Sequence, residues 1–146
     1  MAEERATVLV VEDEPDILVL CRVSLAFEGY EVVEARDGEE AMARLRTTPP
    51  DVVVLDVMLP RMDGWQVLSA IKSDADLKDL PVVLLTGRAK EQDQYLGWTR
   101  GAADHLTKPF SPLALWQVLE DVLGTTPQEE EDRRRLILER LPSLDD

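Results

Sequence analysis

The chain is poor in the residues that most specialised function classes need. Its 146 residues include one cysteine and one histidine. A single thiol, Cys21, closes no internal disulfide. Its apolar neighbours at helical spacing make it a small core residue rather than a redox site. Basic residues are also scarce: 16 Lys and Arg stand against 30 Asp and Glu, a net charge of −14. A binder of the nucleic-acid backbone needs a basic stripe, and adsorption to anionic lipid needs a basic patch, so both classes are excluded. No apolar run approaches the roughly 18 residues of a membrane-spanning helix. The N-terminal MAEERATVLVVEDE places two acids where a secretory signal requires bases, so the expectation is a cytoplasmic protein.

What is present is rhythm. Thr7–Val11, Tyr30–Ala35, Asp51–Asp56, Pro81–Thr86 and Ala103–Thr107 are short strand-like runs. Between and after them lie segments with helical spacing: Pro15–Glu28, Glu39–Thr47, Gly64–Ser73, Lys90–Arg100 and Ser111–Leu123. Pro15 suits a first helical turn with Asp13 as its cap, and Gly29 suits a helix end. Asp37-Gly38 reads as a turn, and Ser111-Pro112 as a cap followed by the first helical residue. Strands alternating with helices predict an α/β fold with a parallel sheet covered on both faces. TVLVV, DVVVLD and PVVLLT each hold a continuous apolar run, as strands buried on both sides must. The expected architecture is the flavodoxin-like doubly wound (βα)5 sheet, strand order 2-1-3-4-5. After Gly124 the composition changes. TTPQEEEDRRRLILERLPSLDD places acids before bases, in line with a helix dipole, and predicts one additional C-terminal helix. The expected organisation is a domain over residues 1–124 and a helical extension over 125–146, too short for an output domain. An apolar patch followed by an acidic tail favours a complete stand-alone protein over a linker.

Open parallel sheets bind ligands outside the carboxyl ends of their strands. Strand one ends in Glu12-Asp13, strand three in Asp56, strand four in Thr86 and strand five near Lys108. Three carboxylates on one rim repel each other, and a fold keeps such a group when a cation neutralises it. Oxygen ligands with no nearby His or Cys suit Mg²⁺ rather than Zn²⁺. A strand-end Asp beside Mg²⁺ and a fixed Lys suits phosphoryl transfer through an aspartyl phosphate. Taken singly, a strand-end Asp is more often a cap or turn residue; acid, acid, hydroxyl and Lys together on one rim are harder to dismiss.

VLVVEDEP, DVVVLDVMLPRMDG, VVLLTG and GAADHLTKPF together resemble the receiver domain of two-component response regulators, over roughly Ala6–Gly124. The resemblance implies that Asp56 is the phosphoacceptor. It implies that Asp13 ligates Mg²⁺ directly, Glu12 directly or through water, and Met58 through its backbone carbonyl. Thr86 would hold a phosphoryl oxygen. Lys108 would pair with the phosphate and precede a cis peptide to Pro109. Pro60 and Gly64 would shape the loop after strand three. The implied partners are a histidine kinase or phosphotransfer protein and a downstream protein reached through the 90–123 face, with no direct nucleic-acid or membrane contact. The domain would catalyse only its own phosphorylation and dephosphorylation. The C-terminal helix would pack on its own domain, dimerise or begin a linker.

One position departs from the family pattern. His105 occupies the place of a Tyr or Phe whose ring moves with Thr86. It retains a flat ring but titrates near pH 6.5, which allows a pH-sensitive switch, an ordinary rotamer switch or a static surface residue. Trp65 and Trp116 read as packing residues. Trp98, three residues after Tyr95, reads either as packing or as part of an exposed partner patch. Asp63 and Asp104 read as loop residues, and Arg88 as a group able to gate the pocket. Three other functions fit the residues less well. A dehalogenase-like phosphatase needs an Asp two residues after its nucleophile, where this chain has Met58. An FMN carrier needs a Ser/Thr/Gly-rich loop where this chain has EDEPD. A receiver that binds partners without phosphorylation would not need the intact set of Glu12, Asp13, Asp56, Thr86 and Lys108.

Overall fold

The computed structural model describes residues 6–87 and 97–140. Five parallel strands form one sheet in the order β2-β1-β3-β4-β5. They are β1 (Thr7–Val11), β2 (Glu31–Ala35), β3 (Val52–Asp56), β4 (Val82–Thr86) and β5 (Asp104–Thr107). The helices with given bounds are α1 (Pro15–Phe27), α2 (Gly38–Thr47), α3 (Gly64–Ser73), α4 (Pro112–Leu123) and α5 (Pro127–Arg140). The predicted helix over 90–100 lies mostly outside the described residues; of it, residues 97–99 are helical. Tyr95 and Arg88 also lie outside.

Strand side chains alternate between the two faces, so each central strand feeds two cores. Val8, Val10, Val52, Val54, Val83 and Leu85 pack with Leu18, Cys21 and Leu25 of α1 and with Leu115 and Leu119 of α4. Leu9, Val11, Val53, Leu55, Val82 and Leu84 pack with Ala41 and Leu45 of α2 and with Val67, Leu68 and Ile71 of α3. Every residue of β3 and β4 is buried, which is why those runs carry no alternating polar positions. Cys21 is fully buried, as its neighbours implied.

Several helix starts differ from the sequence reading. The α1 cap is Glu14, which makes no side-chain capping bond, and Asp13 stays exposed ahead of it. Asp37-Gly38 opens α2 rather than forming a free turn: the Asp37 carboxylate accepts from the Glu40 N–H at 2.8 Å. Asp63 is a cap too, in a reciprocal capping box with Gln66.

Candidate functional site

Register sets the site. Val11 pairs with Leu55, so Glu12 follows β1 at the level where β3 ends in Asp56. Asp56 pairs with Leu85, one residue before Thr86, and Thr86 pairs with Thr107, one residue before Lys108. Four separate strands thus deliver Glu12, Asp56, Thr86 and Lys108 to one edge of the sheet. The Lys108 N–H also donates to the Thr86 carbonyl at 2.7 Å, which ties the last two together.

Lys108 is the electrostatic centre. Its Nζ lies 2.6 Å from Glu12 Oε1 and 3.1 Å from Asp56 Oδ2, with Glu14 Oε1 farther out at 3.5 Å. Glu12 is fully buried and Asp56 is 2% exposed. Burial, with the adjacent Asp56 carboxylate, pushes the Glu12 carboxyl up to about 7. Burial alone would depress the Lys108 ammonium, but its contacts with Glu12 and Asp56 outweigh this and raise it. Backbone donors complete the carboxylates: the Met58 N–H donates to Asp56 Oδ1 at 3.0 Å, and the Asp13 N–H to Glu12 Oε2 at 3.0 Å.

Ligand oxygens of Glu12, Asp13 and Asp56 lie within 4.8 Å of one another. Fully ionised, the three carboxylates carry −3 against +1 from Lys108, so a dication brings the group to neutrality. Hard carboxylate oxygens of this kind fit Mg²⁺. The Thr86 hydroxyl is buried and has no hydrogen-bond partner among the described residues, an unusual state for a buried polar group and one that an incoming oxygen would relieve.

The loop after β3 brings the backbone tight against the site. A Cβ on Gly64 would lie 2.2 Å from the Asp56 carbonyl oxygen, so only glycine allows this approach. Pro60 and Met58 are both exposed on that loop, Met58 at 75%. The Lys108–Pro109 peptide is cis, as the resemblance implied. His105 is half-buried; its ring meets the edge of Trp98 at 5.9 Å between centroids. Burial lowers the pKa of the imidazole, with Asp104 opposing. Trp98 itself is buried, so the exposed aromatic patch is not formed by this residue. The sequence reading missed Glu14 as a third carboxylate on Lys108; its place two residues after Glu12 was the available signal.

The family model for the response regulator receiver domain matches residues 8–120. The chain belongs to that family. It is 44% identical over 105 residues to the alkaline phosphatase synthesis transcriptional regulatory protein PhoP of Bacillus subtilis, covering 72% of this chain and 43% of that one. It is 43% identical over 108 residues to the phosphate regulon transcriptional regulatory protein PhoB of Klebsiella pneumoniae, covering 74% of this chain and 47% of that one. The chain thus spans less than half the length of these curated relatives. Among solved structures, the chemotaxis response regulator CheY4 of Vibrio cholerae matches with a TM-score of 0.78 and 34% identity, over 82% of this chain and 99% of that one. A receiver domain of a two-component system is consistent with a phosphorylation-dependent switch. Among the described residues no helix is long and apolar enough to cross a membrane.

Proposed function

We propose that the receiver domain spans residues 1–124 and works as a phosphorylation-activated switch with Asp56 as acceptor. The observation that carries this reading is the Lys108 ammonium held between the buried Glu12 and Asp56 carboxylates at 2.6 and 3.1 Å. A histidine kinase or phosphotransfer protein is the donor. One Asp56 carboxylate oxygen forms the new P–O bond as the P–N bond to the donor imidazole breaks, and the leaving nitrogen takes a proton. Glu12, Asp13, Asp56 and the Met58 carbonyl would hold Mg²⁺, which when bound neutralises charge on the transferring phosphoryl oxygens. Lys108 leaves the carboxylates for a phosphoryl oxygen, and the buried Thr86 hydroxyl gains the partner it lacks. Pro60 and Gly64 hold the loop that frames the pocket, and Lys108, which precedes the cis bond to Pro109, faces it across Glu12 and Asp56. His105 follows Thr86 and, with it, the surface over residues 97–123 that meets a downstream protein. The chain turns over no metabolite and acts in the cytoplasm.

The test is intact mass after acetyl phosphate treatment. A Mg²⁺-dependent gain of one phosphoryl group, lost in Asp56→Asn, is the expected result. Labelling that persists in Asp56→Asn moves the acceptor elsewhere. No labelling under any condition leaves a domain that binds partners without phosphorylation.

A further inference from the structure

Helix α5 lies beyond the residues that the family model matches, and nothing in the proposed switch uses it. Its hold on the domain is polar. Leu136 is 54% exposed, and neither core includes a residue of α5. Arg133 hydrogen-bonds the adjoining segment, through Asp121 at 3.0 Å and Thr125 at 3.1 Å. Arg134 reaches much farther: its Nη2 donates to the Gly101 carbonyl at 3.2 Å while Glu130 holds the same nitrogen at 2.7 Å. Both side chains of that ion pair are largely covered, at 20% and 13% exposure.

Gly101 ends the helical turn over 97–99 at φ +95°, with the Ala102 N–H closing onto the Gly97 carbonyl at 2.9 Å. A left-handed helix end of this kind is glycine's position. Three other contacts converge on the same five residues. The Trp98 ring meets His105 on β5. The Arg100 guanidinium lies 5.1 Å over the ring of Trp65, the residue after Gly64 at the start of α3. The stem of Lys72 on α3 lies 3.4 Å from where a Gly101 Cβ would stand. The 97–101 turn therefore touches β5 three residues before Lys108, helix α3 at its start and along its length, and α5.

We propose that this turn is a coupling joint, through which docking of α5 by Arg134 and phosphorylation at Asp56 oppose each other. The inference rests on the acceptor reading above. In the described arrangement Lys108 lies on the carboxylates, the Thr86 hydroxyl is unpartnered and Arg134 holds Gly101. Drawing Lys108 and Thr86 onto a phosphoryl group moves β5 and the start of α3, and packed elements shift between discrete arrangements rather than stretch. The Arg134–Gly101 contact fits the first arrangement. Linkage then requires that loosening α5 favours the phosphorylated state by the same factor that phosphorylation loosens α5.

The experiment titrates the phosphoryl mimic beryllofluoride, with Mg²⁺, into the full chain by calorimetry, and follows amide hydrogen exchange of α5 with and without it. Arg134→Ala should tighten binding about fivefold, the lower end of ordinary coupling. Arg134→Gln serves as a milder variant should the alanine protein fold poorly, with a smaller change of the same sign. Arg135→Ala is the control, because among the described residues Arg135 makes only an exposed contact with Glu131 at 3.9 Å. In wild type, beryllofluoride should speed exchange in α5 by a similar factor. Binding to wild type with equal affinity in all variants and unchanged α5 exchange would overturn the coupling alone. Absence of binding to wild type would overturn the acceptor reading and the coupling with it.

Discussion

Replacing Lys108 by Met tests the electrostatics of the site most directly. Methionine keeps most of the apolar stem and removes the charge, leaving Glu12, Asp13 and Asp56 with no compensating cation. Lys108 is only 14% exposed and Glu12 not at all, so solvent screens the pair poorly. Breaking a buried ion pair from one side costs about 3–5 kcal/mol. For a chain of this length, about 2–4 °C is lost per kcal/mol, so the midpoint should fall by about 6–20 °C at pH 8 without Mg²⁺. At pH 5 the loss should be no more than about half as large, since a buried carboxyl neutralises rather than remain unpaired. The sign follows from Glu12, which is raised from 4.5 to about 7 by burial and Asp56. Between those two values the folded chain binds the proton more tightly than the unfolded chain, so stability falls as pH rises through that window. Removing Lys108 takes away a contact that lowers the Glu12 value, so the window widens upward and the slope steepens. Mg²⁺ at a hundredfold its dissociation constant should return about 2.7 kcal/mol to the folded state. Urea unfolding at pH 5 and pH 8, with EDTA and with Mg²⁺, measures all of this. Equal losses at both pH values would refute the charge argument and leave only the packing of the lysine stem.

Asp13→Asn should weaken Mg²⁺ binding at least tenfold while leaving the melting midpoint in EDTA within about 2 °C, because Asp13 is exposed; calorimetric titration reads the first and thermal melts the second. Gly64→Ala should cost about 3 kcal/mol or more, since the added carbon meets the backbone of Asp56 and Val57 at 2.2 and 2.5 Å and neither can rotate away; a loss under 1 kcal/mol in urea would show that the loop yields. Leu115→Ala should cost about 2–5 kcal/mol through the cavity it leaves in the core between α1 and α4, without changing the Mg²⁺ affinity of the folded protein. Tyr30→Phe should cost only about 1 kcal/mol, because its hydroxyl partner Glu120 is exposed and water replaces the bond.

The sheet was legible because burial on both faces leaves a strand no polar positions, and TVLVV, VVVLD and VVLLT have none before their ends. The rim was legible for the same reason, since a charge at the end of such a run has only the strand's carboxyl edge to occupy. Helix starts were harder to read. Asp37-Gly38 and Asp63-Gly64 are each turn signals and cap signals, and only the neighbouring Met62 and Val57 backbone decides which. Trp98 read either as packing or as an exposed patch, because its fate rests on a contact distant in sequence: it is buried, with its ring edge against His105 of β5.

Helix α5 was foreseen from its charge order, but its attachment was not. Leu136, Ile137 and Leu138 give a modest apolar patch, but three adjacent residues cannot share one face of a helix. The anchor is instead Arg134, reaching a carbonyl exposed by a left-handed glycine 33 residues earlier. A polar anchor of this kind is a weak and reversible one. A core leucine stripe would fix the helix permanently, whereas one charged hydrogen bond of about 1.5–3 kcal/mol lies within the range a phosphoryl group at Asp56 can offset. Under the coupling proposed above, the absence of α5 residues from both cores is what would let the helix respond to the site.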